Sequence, residues 1–148
     1  MQENITYSIS PFVPYEIFRR TNYTIICETL GVGNTFFLSE KTTKALFAKR
    51  LFVAFSTPNF LQGIRMQGFY TFDGIIDENY DSIQQPLDRY KQAFDQILWL
   101  SKQNPELIYQ KAKPTLDHNR NRLFELQTET QEAMTNLVKS KVPEQYWG

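Results

Sequence analysis

Cysteine is nearly missing from this chain: Cys27 is the only one in 148 residues. No intramolecular disulfide and no cysteine-based metal site can be assembled, and a reducing compartment is the natural setting. Net charge is missing too, because 16 Lys and Arg balance 16 Asp and Glu. Without a positive excess, nothing draws in nucleic-acid phosphate or anionic lipid, which disfavours DNA binding by phosphate neutralisation. No apolar run approaches the roughly 20 residues a membrane span needs. The opening "MQENITYSISPF" has neither a basic region nor a long apolar run, so it does not read as a signal peptide. A soluble, cytoplasmic protein is expected. Histidine is reduced to His118, in "LDHNRNRL", with no second ligand type clustered beside it to make a metal site.

What is present suits one α/β domain over residues 1–142, with 143–148 as a tail. Hydrophobic residues make up 41% and aromatics 15% of the chain, enough for one sizeable core. "ITYSI" reads as a short edge strand, and a short helix follows Pro14. "YTIICE" and "LFVAF" read as buried strands, with Cys27 in the core, and "FYTF" as a third, short one. Ser39 precedes "EKTTKALFAKR" as the N-cap of a helix of about three turns. A second crossover helix has Thr57 as cap, Pro58 at its first position and Gly68 past its end. Strand–helix–strand–helix–strand predicts parallel strands in a Rossmann-like sheet.

Further on, "DGIIDENYD" gathers Asp73, Asp77, Glu78 and Asp81. It lacks the glycine and terminal Glu of a calcium-binding helix–loop–helix and reads as a solvated turn. A helix over Pro86–Lys102 carries Leu87, Tyr90, Phe94, Ile97 and Leu98 on one face. "NPELIYQKAK" is a short helix stopped at Pro114, and a long one runs from Thr115 to about Lys139.

Ligands of open parallel sheets bind beyond the carboxyl ends of the strands, where helix N-termini converge. "LGVGN" and Ser39-Glu40-Lys41 fall there. The first helical turn offers N–H groups and a positive dipole end to an anion, and Lys41 adds a mobile cation. Glu40 suits bidentate hydrogen bonding to a ribose diol. A purely structural account also fits: Ser39 caps, Glu40 favours the dipole and Lys41 is solvated. The glycines of "GVG" do not make a dinucleotide fingerprint.

"NYTIICET" followed by "FFLSEKTTKALFAKRLFVAF" resembles the nucleotide-sugar lobe of GT-B glycosyltransferases, in particular the α1,3-fucosyltransferase-like group. That group has a strand ending in a Phe-Glu-Asn-type triplet, then Tyr-x-Thr-Glu-Lys, a helix and a strand. "GFYTF" and "DENYD" are similar to the continuation in phage and marine bacterial members, covering residues 14 to 125 in all. The resemblance implies that Lys41 binds the nucleotide diphosphate and Glu40 the ribose. Phe37 lines the pocket where the family has Tyr, and Glu28 matches the acidic strand end. Thr29 stands in place of the usual Asn, and Lys49-Arg50 in place of a glycine before the second strand. His118-Asn119 matches a helix-packing feature of the same subgroup. No metal and no separate cofactor are implied, the substrate being a nucleotide diphosphate sugar, GDP-linked in fucosyltransferases.

A complete GT-B enzyme has two lobes, and the resemblance covers only the nucleotide half. The acceptor side and general base of such enzymes usually come from the other lobe. An upstream basic phosphate ligand is missing as well, with Arg19 and Arg20 as nearby substitutes. The catalytic residues therefore stay unassigned. The expected activity is glycosyl transfer by direct displacement, with another copy or an acceptor-lobe protein completing the site. Two alternatives stand beside it: a non-catalytic interaction or assembly module that retains the fold, in the host cytoplasm if viral, and a nucleotide-binding sensor. Leu116, Asn119, Leu123, Leu126, Thr130, Ala133 and Leu137 form a narrow helical stripe, read as a homo-oligomer contact or as packing on the chain's own sheet.

Overall fold

The computed structural model describes residues 12–31, 33 and 35–141 of the protein. "ITYSI" and the tail 143–148 lie outside the described residues. Pro14 stands at the N-cap of α1 (Tyr15–Arg19). The β-branched run then forms β1 (Thr24–Cys27), followed by α2 (Glu40–Phe47) and β2 (Phe52–Phe55). The two strands pair in parallel, with Thr24 opposite Phe52 and Cys27 opposite Phe55. The rest is mostly helix: α3 (Phe60–Met66), a 3-10 turn at Asn79–Ser82, α4 (Pro86–Leu100) and α5 (Pro105–Lys141). Among the described residues the fold is mixed α/β around a two-stranded parallel sheet.

"FYTF" is not a third strand, and the reason is local. The backbone N–H of Tyr70 donates to Asn119 Oδ1 at 2.8 Å, and its carbonyl accepts from Asn119 Nδ2 at 2.9 Å. The N–H of Phe72 donates to Glu78 Oε1 at 2.6 Å. Side chains thus take backbone groups that a sheet ladder would use. Phe69 and Phe72 still bury their rings, and Phe72 meets Phe52 edge to face at 5.2 Å. Burying each such ring stabilises the fold by roughly 1.5–3 kcal/mol.

The cap of α3 also differs from the expectation. The Thr57 hydroxyl donates instead to the Thr35 carbonyl, and the helix begins at Phe60 after Asn59, which is left-handed at φ 61°. Its first-turn N–H groups, those of Leu61 and Gln62, donate to the two carboxylate oxygens of Asp81. Glu78 is bound by Arg65, Thr71 and the Phe72 amide. Asp73 and Asp77 are exposed, as expected of a solvated turn, whereas Glu78 and Asp81 are buried structural groups. Burial pushes both carboxyls above their ordinary values, against the opposing effect of the hydrogen bonds and of Arg65. Gly68 does follow α3, with φ 85°.

α4 turns a different face inward from the one its apolar spacing suggests. Arg89, Ala93 and Leu100 are buried, whereas Leu87 is 76% and Phe94 50% exposed. Nor does Pro114 end a helix: α5 runs through it for 37 residues, about 55 Å. Ile108 and Ala112 before the proline and Leu116 and Asn119 after it are all buried against the body. That continuous contact outweighs the lost backbone bond. Beyond Leu126 every described residue of α5 is exposed.

Cys27 is exposed and not in the core. Along β1 only Ile26 is buried, so one face of this strand is open among the described residues. At the end of α2, Lys49 takes the left-handed conformation (φ 52°). Its ammonium is 2.6 Å from Asp117 Oδ1, which ties the turn to α5. Hydrogen bonds from Lys113 and then Lys49 pull the Asp117 carboxyl down to about 2.

Candidate functional site

Four of the five residues singled out for ligand binding converge where β1 ends and α2 begins. Ser39 is the N-cap, as expected: its backbone is extended (φ −86°, ψ 174°) and its Oγ accepts from the Lys41 N–H at 3.1 Å. The Thr43 N–H closes the first helical turn on the Ser39 carbonyl. The N–H groups of Glu40 and Thr42 stand outside the helical ladder by the geometry of any helix start. They and the dipole make the end of α2 electropositive.

Glu28, one residue past β1, lies beside this turn and is only 9% exposed. Its Oε1 accepts from the Thr42 hydroxyl at 2.5 Å, whereas its Oε2 is buried with no hydrogen-bond partner among the described residues. A buried carboxylate oxygen without a donor costs on the order of 1–3 kcal/mol or more, so such an atom calls for an explanation. The donors it lacks are hydroxyl or N–H groups, of the kind a sugar diol or a base edge carries.

Lys41 extends its ammonium to Thr29 Oγ1 at 3.1 Å and lies 4.0 Å from Glu40 Oε1. Both side chains are close to half exposed, so this pair contributes about 1 kcal/mol at most. Redirecting the ammonium to an incoming anion costs little. Thr29 is thus a polar neighbour of the lysine. Phe37 is about half exposed on the loop leading into α2, while its neighbour Phe36 packs on Phe60 at 5.7 Å. Gly63 makes room for Phe36, since a Cβ there would overlap the ring. The loop is therefore anchored on its Phe36 side, with Phe37 left in the open.

Thr42 was not singled out from the sequence, yet it holds the one satisfied oxygen of Glu28. Its place three residues after the cap, on the inward side of a helix entered by Ser39, is the signal that marks it. Arg19 and Arg20 do not reach this site. Arg19 pairs with Glu16 and lines a cleft with Thr21, Tyr23 and Arg50 beside the starts of both strands. Arg20 closes α1 at the same end. Arg50, in that cleft, donates to Thr24, Phe18, Thr21 and Tyr23 and is committed to tying α1 down. His118 packs, as expected: its ring stacks on Tyr70 at 3.7 Å and its Nε2 lies 2.9 Å from the Gly68 carbonyl.

A cleft of about 380 Å³ is lined by Asn59, Arg65, Glu78 and Asp81 among others. The carboxylates of Glu78 and Asp81 are already bound to Arg65 and to backbone N–H groups. Among the described residues no group of three or more His, Cys, Asp or Glu is placed to hold a metal ion. No described helix is long and apolar enough to cross a membrane. Comparison with protein-family models, curated proteins and solved structures finds no match to this chain.

Proposed function

We propose that this chain is the nucleotide-diphosphate-sugar-binding half of a fucosyltransferase-like glycosyltransferase, built on a Rossmann-like plan. The observation that carries the reading is the unpartnered Glu28 Oε2 beside the capped start of α2. An anion acceptor and a hydroxyl acceptor stand side by side there, which is the pairing a sugar nucleotide requires. The diphosphate meets the α2 N-terminus and Lys41, Glu28 and Glu40 take the diol or base edge, and Phe37 borders the pocket. Transfer is by direct displacement. The departing diphosphate gains charge in the transition state, and Lys41 and the helix start stabilise that charge without a metal.

The acceptor and the base that activates it come from a second lobe. The open row of Leu87 and Phe94 on α4 and the exposed end of α5 offer faces for such a partner. A second reading, a non-catalytic assembly module, is favoured by the same end of α5, which is exposed at every described residue beyond Leu126. Calorimetry and thermal shift with GDP, UDP and their sugars separate the two. A nucleoside diphosphate raises the melting temperature, and Lys41→Ala weakens its binding by about 1.5–3 kcal/mol. A melting curve indifferent to every nucleotide at millimolar concentration rejects the glycosyltransferase reading.

A further inference from the structure

One of the largest fully buried side chains is a cation. Arg89, in the first turn of α4, is 2% exposed. Its Nε donates to the Ser56 carbonyl at 2.9 Å and its Nη2 to that of Gly31 at 2.8 Å. Its Nη1 donates to the carbonyls of Ile83 at 2.6 Å and Gln84 at 3.1 Å. The hydroxyl of Tyr90 donates to the same Gly31 carbonyl at 2.9 Å, and the guanidinium lies 5.2 Å from the Tyr90 ring centroid. All four acceptors of Arg89 are backbone carbonyls, and they belong to the chain leaving β1, the chain leaving β2 and the turn entering α4.

An apolar side chain would fill this space with no charge to desolvate, so packing alone does not account for an arginine here. What the guanidinium does is fix three backbone segments relative to one another in a planar fork. Gly31 suits this arrangement, because a Cβ on it would collide with the Tyr90 hydroxyl oxygen. The Gly31 carbonyl lies three residues beyond Glu28, on the loop that ends at the Ser39 cap. The same loop is held near its far end by Thr57, through the Thr35 carbonyl.

We propose that Arg89 and Tyr90 are positioning residues for the ligand site, and that their grip on the Gly31 carbonyl sets Glu28 against the first turn of α2. This rests on the nucleotide-binding reading above. Neither side chain is assigned to touch the ligand. They act by removing freedom from the β1–α2 loop before the ligand arrives, so that binding does not have to order it.

The test uses the full chain with Tyr90→Phe, which removes one of the two donors to Gly31 and keeps the ring. Gly31→Ala is the second variant, since it displaces the hydroxyl by contact instead of deleting it. Hydrogen exchange of the amides in 28–31 and 35–43 is followed without nucleotide, and GDP affinity is measured by calorimetry. Both variants are expected to exchange faster in these segments while α5 keeps its protection. GDP binding should weaken about three- to tenfold, the effect of one lost hydrogen bond. The salt dependence of binding should stay that of the parent, because Lys41 is intact. A general loss of structure would instead raise exchange everywhere, α5 included, and would overturn the proposal. Parent-like loop exchange and affinity in Tyr90→Phe would overturn it as well. If the parent binds neither GDP nor UDP, the nucleotide reading fails on its own. The loop-holding inference is then decided by exchange: faster in 28–31 and 35–43 sustains it, unchanged rejects it.

Discussion

Replacing Glu28 with glutamine should move stability and binding in opposite directions. The introduced amide oxygen can keep the bond from the Thr42 hydroxyl, which is 2.5 Å long in the parent. The oxygen that has no partner becomes an NH2 group. An unmet neutral amide costs on the order of 1–3 kcal/mol and an unmet charged group more. Glu28→Gln should therefore leave the free protein as stable as the parent or more stable by up to about 2 kcal/mol. For a chain of this size that is a rise of several degrees in melting temperature, at roughly 2–4 °C per kcal/mol. Binding should suffer, because the ligand's hydroxyl or N–H donors lose a charged acceptor worth about 1.5–3 kcal/mol, a factor of roughly 10 to 150 in affinity. Differential scanning calorimetry gives the first quantity and titration calorimetry with GDP or UDP the second. A variant that melts several degrees below the parent and binds as the parent does would show Glu28 to be a structural residue, and the assignment of the site would fall with it.

Two further outcomes test the frame around the site. The Asp117 carboxyl is held near 2 by Lys113 and Lys49, below its value in an unfolded chain. Its contribution is therefore complete above about pH 4 and fades as pH falls toward about 2; urea midpoints across that range should drop less steeply in Asp117→Asn, and parallel curves would contradict the linkage. Leu126→Asp should abolish any self-association through the end of α5, measured by light scattering at high micromolar concentration, and a monomeric parent that behaves like the variant would remove that surface as an interface.

Where neighbouring residues decide the structure, it was legible in the chain. The β-branched "YTII" and the apolar "LFVAF" both became strands, and Ser39 capped α2 because the cap joins residues only two positions apart. Distant residues decide the elements that were misread. "FYTF" alternates like a strand, but Asn119, 49 positions away, claims both backbone groups of Tyr70. Asp81 supplies the cap that Thr57 was expected to give, from 20 positions downstream of Leu61. The face of α4 was misjudged because apolar spacing assumes that long charged side chains stay outside, and Arg89 is drawn in by four carbonyls. Of the candidate site, Ser39, Glu40 and Lys41 come from the helix-start pattern, and Phe37 and Glu28 only from the family resemblance. The bond that makes Glu28 half satisfied, from Thr42, needed the placement of a strand end against a helix start.

The open face of β1 has a practical consequence. Cys27 is the chain's single thiol, and it stands exposed on the residue next to Glu28. Adjacent Cα atoms are about 3.8 Å apart, while alternation along a strand sends neighbouring side chains to opposite faces. A maleimide fluorophore attached to the unaltered protein would therefore sit one residue from the proposed site, on the face of the strand opposite the Glu28 carboxylate. The fold comes with its own attachment point for an optical probe, and ligand titrations could be followed with no engineered mutation at all.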